Sequence, residues 1–439
     1  MRLIAKTLIA TATTMNNYKD KTAMVVSHGL FISIAERLAR DFGKVYTWMP
    51  GREISYPRMA QGMMGHGLNM ERVDDVFGPH FNEIDIFIFP DIGFSSLQVY
   101  LESVGKRVWG GRNGEELEIY REVCKNLMQE VGLPVQPWKV IKGVQALRDH
   151  LIANEDQHVK IDRWRGEFET FFSQNYDLVK PKIDEIANNL GGFQEIAEFI
   201  VEDDLPDCVE VGLDCYCIDG NFPSKTLCGI EVKDLGYVAE FKDWDAIPGP
   251  IREWNEKMAP YLARYGYRGF LSTEVRIGED HKPYMIDACC RAGSPPSELY
   301  QEFYKNFTDI IWEGAGGVLI DPEPIAKYGV QVVLKSNWAE NHWQPIDVPA
   351  KYADNVKLFN KVVIDGKTYI VPQNEEMREI GSVVAWGNTL QEAIDMADEI
   401  GSSLSGYGIK WSMGPIDSAK KEMEALVEMG ISPFSPDFK

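Results

Sequence analysis

A chain of 439 residues is too long for one hydrophobic core, so two to four packed units are expected. Its 67 acidic residues outnumber 45 basic ones, and a formal charge of −22 argues against a general nucleic-acid partner, because such a surface repels a phosphate backbone. No stretch approaches the ~20 apolar residues that span a bilayer, and Lys6 interrupts the only apolar run at the N-terminus, so no membrane association and a cytoplasmic location are expected. Seven cysteines, an odd count without paired CxxC spacing, predict reduced thiols rather than a zinc site. The seven histidines form no HxxxH or HExxH pair, which points the same way.

The elements follow in chain order. Residues 24–30 read as a strand entering a turn, residues 34–40 have helical spacing, and residues 44–48 return to strand. Asp85 to Pro90 is a continuous apolar run, the pattern of a parallel strand covered on both faces. A helix over 99–104 and a strand over 106–110 complete a small doubly wound α/β unit. Glu115 to Val131 reads as one amphipathic helix stopped by Gly132 and Pro134. Strands are predicted over 135–141 and 159–162, a helix near 183–190, then strands at 197–202, 208–218, 270–277 and 283–287. Beyond the linker-like Asp321-Pro322-Glu323-Pro324, strands are predicted over 330–334 and 380–386. A helix follows from Thr389, with Glu392 three residues on as a capping box.

The chemistry concentrates in one predicted hairpin. Gly278 to Lys282 makes the turn, so Glu274 and Asp287 can meet across it, and Asp287 and Cys289 share a strand face. Two converging carboxylates suit Mg²⁺, which takes a few hard oxygens together with phosphate oxygens. An ordinary acidic hairpin is the competing reading of the same spacing.

Glu274, Asp287-Ala288-Cys289, Arg291 and Gly293 together resemble the closing signature of the ATP-grasp ligases, most of all the phosphoribosylamine–glycine ligases. The resemblance implies ATP as cosubstrate and Mg²⁺ (or Mn²⁺) held by Glu274 and Asp287, with Arg291 at the transferring group. Cys289 falls on a further metal position, where that family has Asn, and offers a soft thiol instead. Arg121 falls where the family keeps a phosphate-approaching lysine, and Lys160 matches the strand lysine that bonds the α-phosphate and adenine. Arg165 and Gly166 lie in the loop expected over the phosphates; here one glycine and two arginines replace a Gly-rich sequence. Glu202 falls on the adenine hinge and Glu210 on the ribose carboxylate, and residues 381–393 are similar to the family's C-terminal domain. The likeness covers about residues 24–415. Its first loop, Ser27 to Ser33, departs from the segment that contacts phosphoribosylamine.

The implied fold is α/β and α+β: an N-terminal doubly wound pre-ATP-grasp domain, an ATP-grasp domain and a small C-terminal α+β domain. The expected boundaries are 1–115, 116–325 with a lid over about 135–210, and 326–439. The implied activity is an ATP- and Mg-dependent carboxylate–amine ligase working through an acylphosphate on small-molecule substrates, as monomer or homodimer. A degenerate ATP-grasp protein that binds nucleotide in a regulatory or structural role is the alternative.

Overall fold

The computed structural model describes residues 17–50, 62–161, 170–232, 235–372, 378–436 and 438. The N-terminal region forms a wholly parallel sheet in the order Glu71–Arg72, Lys44–Trp48, Thr22–Val26, Ile86–Ile88, Arg107–Trp109. The order reverses at Thr22–Val26, so the crevice beyond the carboxyl ends of that strand and Ile86–Ile88 is the natural ligand edge. Alternate side chains serve opposite cores. Ala23, Val25, Ile86 and Ile88 pack with the helix Ile32–Leu38, while Met24, Val26 and Phe87 pack with Leu101 of the helix Ser95–Ser103. That two-sided burial is what the apolar run predicted.

Next comes a four-stranded antiparallel sheet, ordered Trp138–Lys142, Glu198–Asp203, Gln157–Ile161, Thr170–Ser173. The helices Val144–Ala153 and Tyr176–Leu190 cover it, with Leu147, Leu151, Ile183 and Phe199 in a core of their own. A separate core lets this small layer act as one body beside the larger sheet.

An eight-stranded antiparallel sheet makes the centre of the molecule. Its order is Pro283–Cys289, Arg268–Ile277, Val209–Ile218, Lys225–Val232, Gly236–Asp243, Tyr328–Lys335, Glu379–Gly387, Val356–Leu358. Residues 236–240 pair with 328–332, so the ladder runs unbroken past residue 325. Lys225–Val232 and Gly236–Asp243 were not foreseen from the sequence. Their pattern is diluted by glycines that packing demands: a Cβ on Gly229 would lie 2.4 Å from the Tyr237 ring. A three-stranded sheet (Gln344–Pro345, Lys367–Ile370, Lys361–Ile364) and the helices Leu390–Ser403 and Gly414–Glu428 complete the chain. Thr389 and Glu392 form the expected capping box.

The helix expected over Glu115 to Val131 is broken into Glu116–Ile119 and Arg121–Glu130, with Tyr120 at φ −109°, ψ 83°. Two anchors pull the chain apart there. Glu118 accepts from the Cys290 backbone N–H at 2.8 Å, and Arg121 donates to the Ile161 carbonyl at 3.0 Å.

Glu115, just ahead of this segment, is buried and accepts from the Ser95 backbone N–H at 2.6 Å, which ties down the loop after Ile86–Ile88. Burial pushes its carboxyl up from 4.5 to about 7, against the lowering effect of the Ser95 hydrogen bonds. The folded state therefore holds a proton that the unfolded chain has released, and stability falls as pH rises through that interval. Urea melts of Glu115→Gln and wild type should diverge in the variant's favour from about pH 4.5 to about 7 and run parallel above. Parallel curves throughout would show that Glu115 titrates normally.

Candidate functional site

A cavity of about 540 Å³ lies between the four-stranded and eight-stranded sheets. Arg121, Lys160, Glu202, Glu210, Glu274, Cys289 and Arg291 all line it, although 170 residues of chain separate the first from the last. Arg165 and Gly166 lie outside the described residues. Asp287 occupies the strand position directly opposite Glu274.

The hairpin is less regular than its spacing suggested. Glu274 pairs with Asp287 but Val275 pairs with Met285, so Ile286 is an extra residue in its strand. A bulge of this kind re-aims backbone groups. The Ile286 carbonyl accepts from Lys160 Nζ at 3.1 Å, which joins the small sheet to the large one inside the cavity.

Lys160 belongs to a nearly solvent-free cluster. Glu202, 2% exposed, has Lys125 Nζ at 2.8 Å, Gln136 Nε2 at 2.7 Å and Lys160 Nζ at 3.8 Å. Two ammonium groups thus approach one buried carboxylate at the wall of the cavity. Lys125 closes the segment from Trp109 that is similar to the ligases' own but was given no role from the sequence; its position one turn after Arg121 on the same helix face is a second signal. Glu210 pairs with Arg276 at 3.0 Å, the residue opposite it in the neighbouring strand. Arg276 was also not foreseen, because a cross-strand partner is set by register rather than by sequence distance.

Arg291 sits at the other end. Its Nε donates to Glu118 Oε1 at 2.9 Å and lies 4.0 Å from Asp91 Oδ1. Burial disfavours its charge, but Cys289, Glu118 and Asp91 outweigh that and raise its pKa well above the ordinary value, so the guanidinium stays charged.

The donors suit Mg²⁺ in one specific way. Glu274 and Glu231 line the cavity, and Asp287 holds the backbone position paired with Glu274, whereas the Cys289 thiol contributes no hard oxygen. Among the described residues, no group of three or more His, Cys, Asp or Glu side chains could hold a metal ion. Glu274 and Glu231 offer hard oxygens of the kind that Mg²⁺ shares with phosphate oxygens.

A doubly wound parallel sheet, a small antiparallel sheet and a large antiparallel sheet, with the cleft between the last two, are the architecture of the ATP-grasp fold. Solved structures agree. The phosphoribosylamine–glycine ligase of Thermotoga maritima superposes with a TM-score of 0.67 at 18% identity, covering 89% of this chain and 98% of that one. Biotin carboxylase of Campylobacter jejuni, in complex with an ATP analogue, gives 0.61 at 15% identity over 95% of this chain and 96% of its own. The L-amino acid ligase of Bacillus licheniformis gives 0.57 at 14% identity, covering 89% and 98%. No protein-family model matches the sequence, and no curated protein does. No helix among the described residues is long and apolar enough to cross a membrane, and no disulfide joins the cysteines.

Proposed function

We propose that the protein is an ATP- and Mg-dependent carboxylate–amine ligase. The carrying observation is the convergence of Arg121, Lys160 and Arg291 with Glu274 in one cavity of an ATP-grasp fold. In this reading Lys160 and Arg121 take the phosphates and Glu210 the ribose hydroxyls, for which a carboxylate offers two acceptors. Glu274 and Asp287 would hold magnesium, which when bound would neutralise charge on the phosphates. Arg291 steadies the transferring phosphoryl group while a substrate carboxylate attacks the γ-phosphorus. The γ-phosphorus–oxygen bond to ADP breaks, an acylphosphate forms, and an amine then displaces phosphate from the acyl carbon. The protein's contribution is placement and charge balance, since the phosphoryl group carries the reactivity.

The acceptor differs from phosphoribosylamine in this proposal. At the carboxyl end of Thr22–Val26 the turn carries Ser27, buried, and His28, stacked on Phe94 with ring centroids 4.8 Å apart. This turn departs from the segment that contacts phosphoribosylamine in the ligases the sequence resembles, which supports a different acceptor. Phosphate release with Mg-ATP should exceed background with members of an amino-acid panel and not with glycine plus phosphoribosylamine; the reverse pattern would overturn the substrate assignment. Asp287→Asn should lower that release at least about 100-fold while the fold persists. Unchanged release would remove Asp287 from the site, and failure of the wild type to bind Mg-ATP in calorimetry would reject the ligase reading.

A further inference from the structure

We infer that Glu118 is the positioning residue for Arg291, setting which edge of the guanidinium meets the substrate. This rests on the ligase reading above and adds to it a role for a residue that the metal and phosphate roles do not use. Glu118 reaches 173 residues along the chain to Arg291: its Oε1 accepts from Arg291 Nε at 2.9 Å, and its Oε2 accepts from the Cys290 backbone N–H at 2.8 Å. One carboxylate thus grips both the side chain and the backbone next to it, and the two bonds together fix position and direction. Arg291 Nη1 gives one of its two N–H groups to the Ala292 carbonyl at 3.0 Å. With Nε and one Nη1 N–H committed to protein oxygens, the second Nη1 N–H and the Nη2 pair are the donors left for a phosphoryl or acylphosphate oxygen.

The surroundings make this arrangement rigid. Glu118 is 13% exposed and Arg291 18%, so solvent competes weakly for either partner. The Ala292 backbone N–H donates to the Pro90 carbonyl at 2.9 Å, and Asp91 next to it stands 4.0 Å from Arg291 Nε. The arginine is thereby fastened to the ligand edge of the parallel sheet as well as to the large one. Glu118 can be presented this way because the helix is broken after Ile119, which frees the four-residue segment Glu116–Ile119 to face Cys290 while Arg121 faces Ile161. Glu118 itself also borders the cavity, but its carboxylate faces the arginine and repels phosphate, so its part is to orient and not to bind.

The test is a double-mutant cycle in the full chain, read as phosphate release with saturating Mg-ATP and the amino-acid panel, as Mg-ATP affinity by calorimetry, and as urea stability. Glu118→Gln should lower kcat by about 10- to 100-fold with the KM for ATP nearly unchanged, the signature of a misplaced catalytic group. Arg291→Met should lose at least as much. The pair should be no slower than Arg291→Met alone, because a residue that acts through Arg291 has nothing left to orient. Independent, multiplying losses would overturn the inference, as would a Glu118→Gln loss confined to stability or to KM. Glu118→Asp supplies a folded comparison with the charge kept but the reach shortened; it should recover only part of kcat, and full activity would also overturn the assignment. If the wild type fails to bind Mg-ATP, the ligase reading falls and this inference with it. If it binds and the cycle multiplies, only the inference falls.

Discussion

Lys160→Met is expected to weaken Mg-ATP binding by about 10- to 100-fold without unfolding the protein, as measured by calorimetry at fixed salt. A hydrogen bond to a charged group is worth about 1.5–3 kcal/mol, and each 1.4 kcal/mol is tenfold in affinity. Lys160 is 3% exposed, so a phosphate oxygen meeting its ammonium gains far more than it would at the surface. Methionine fills a similar volume without the charge. Removing a buried ion's partner is normally costly, but Glu202 retains Lys125 at 2.8 Å and Gln136 at 2.7 Å, so the fold should hold. The lost bond to the Ile286 carbonyl should loosen the small sheet over the cavity, adding to the effect. Unchanged affinity would exclude Lys160 from the nucleotide site and leave the Glu202 cluster as a structural tie.

Trp109→Ala should cost about 3–5 kcal/mol in urea melts, the largest stability loss expected from any single truncation considered in the chain. Trp109 ends the last strand of the parallel sheet and is fully buried, packed edge-on to Phe270 at 5.0 Å between centroids. The helix Phe307–Ala315 closes over it at Gly314, where a Cβ would fall 2.4 Å from the indole. Three elements from different parts of the chain share this one side chain, so the void has no flexible neighbour to refill it. Its indole N–H finds no hydrogen-bond partner among the described residues, so Trp109→Phe loses area but no hydrogen bond. That variant should cost clearly less than alanine. Equal losses would mean that a polar interaction, not packing, holds the site.

The parts of the site legible in the sequence are those on locally periodic elements. The strand carrying Glu274, the returning strand with Asp287 and Cys289, and the strand carrying Lys160 all show their residues at period-2 positions, and the structure places the described ones around one cavity. The wholly parallel N-terminal sheet was equally readable, because burial on both faces leaves an unbroken apolar run. Lys225–Val232 and Gly236–Asp243 were not, since strands enclosed on both sides by others accept glycine for close packing and so lose the alternation that betrays a strand.

What the sequence by itself determined is therefore a set of chemical groups and the elements that carry them. Only the tertiary structure decided how those groups act on one another. The bulge at Ile286 hands a carbonyl to Lys160, the break at Tyr120 sends Glu118 and Arg121 to different partners, and strand register sets Arg276 against Glu210. Each depends on contacts between residues 40 to 173 positions apart, and local propensity carries no information over such distances. The pairing of Glu274 with Asp287 could be anticipated from a hairpin, whereas the Glu118–Arg291 contact could not, because a short turn is written in the chain and a 173-residue separation is bridged only in the fold.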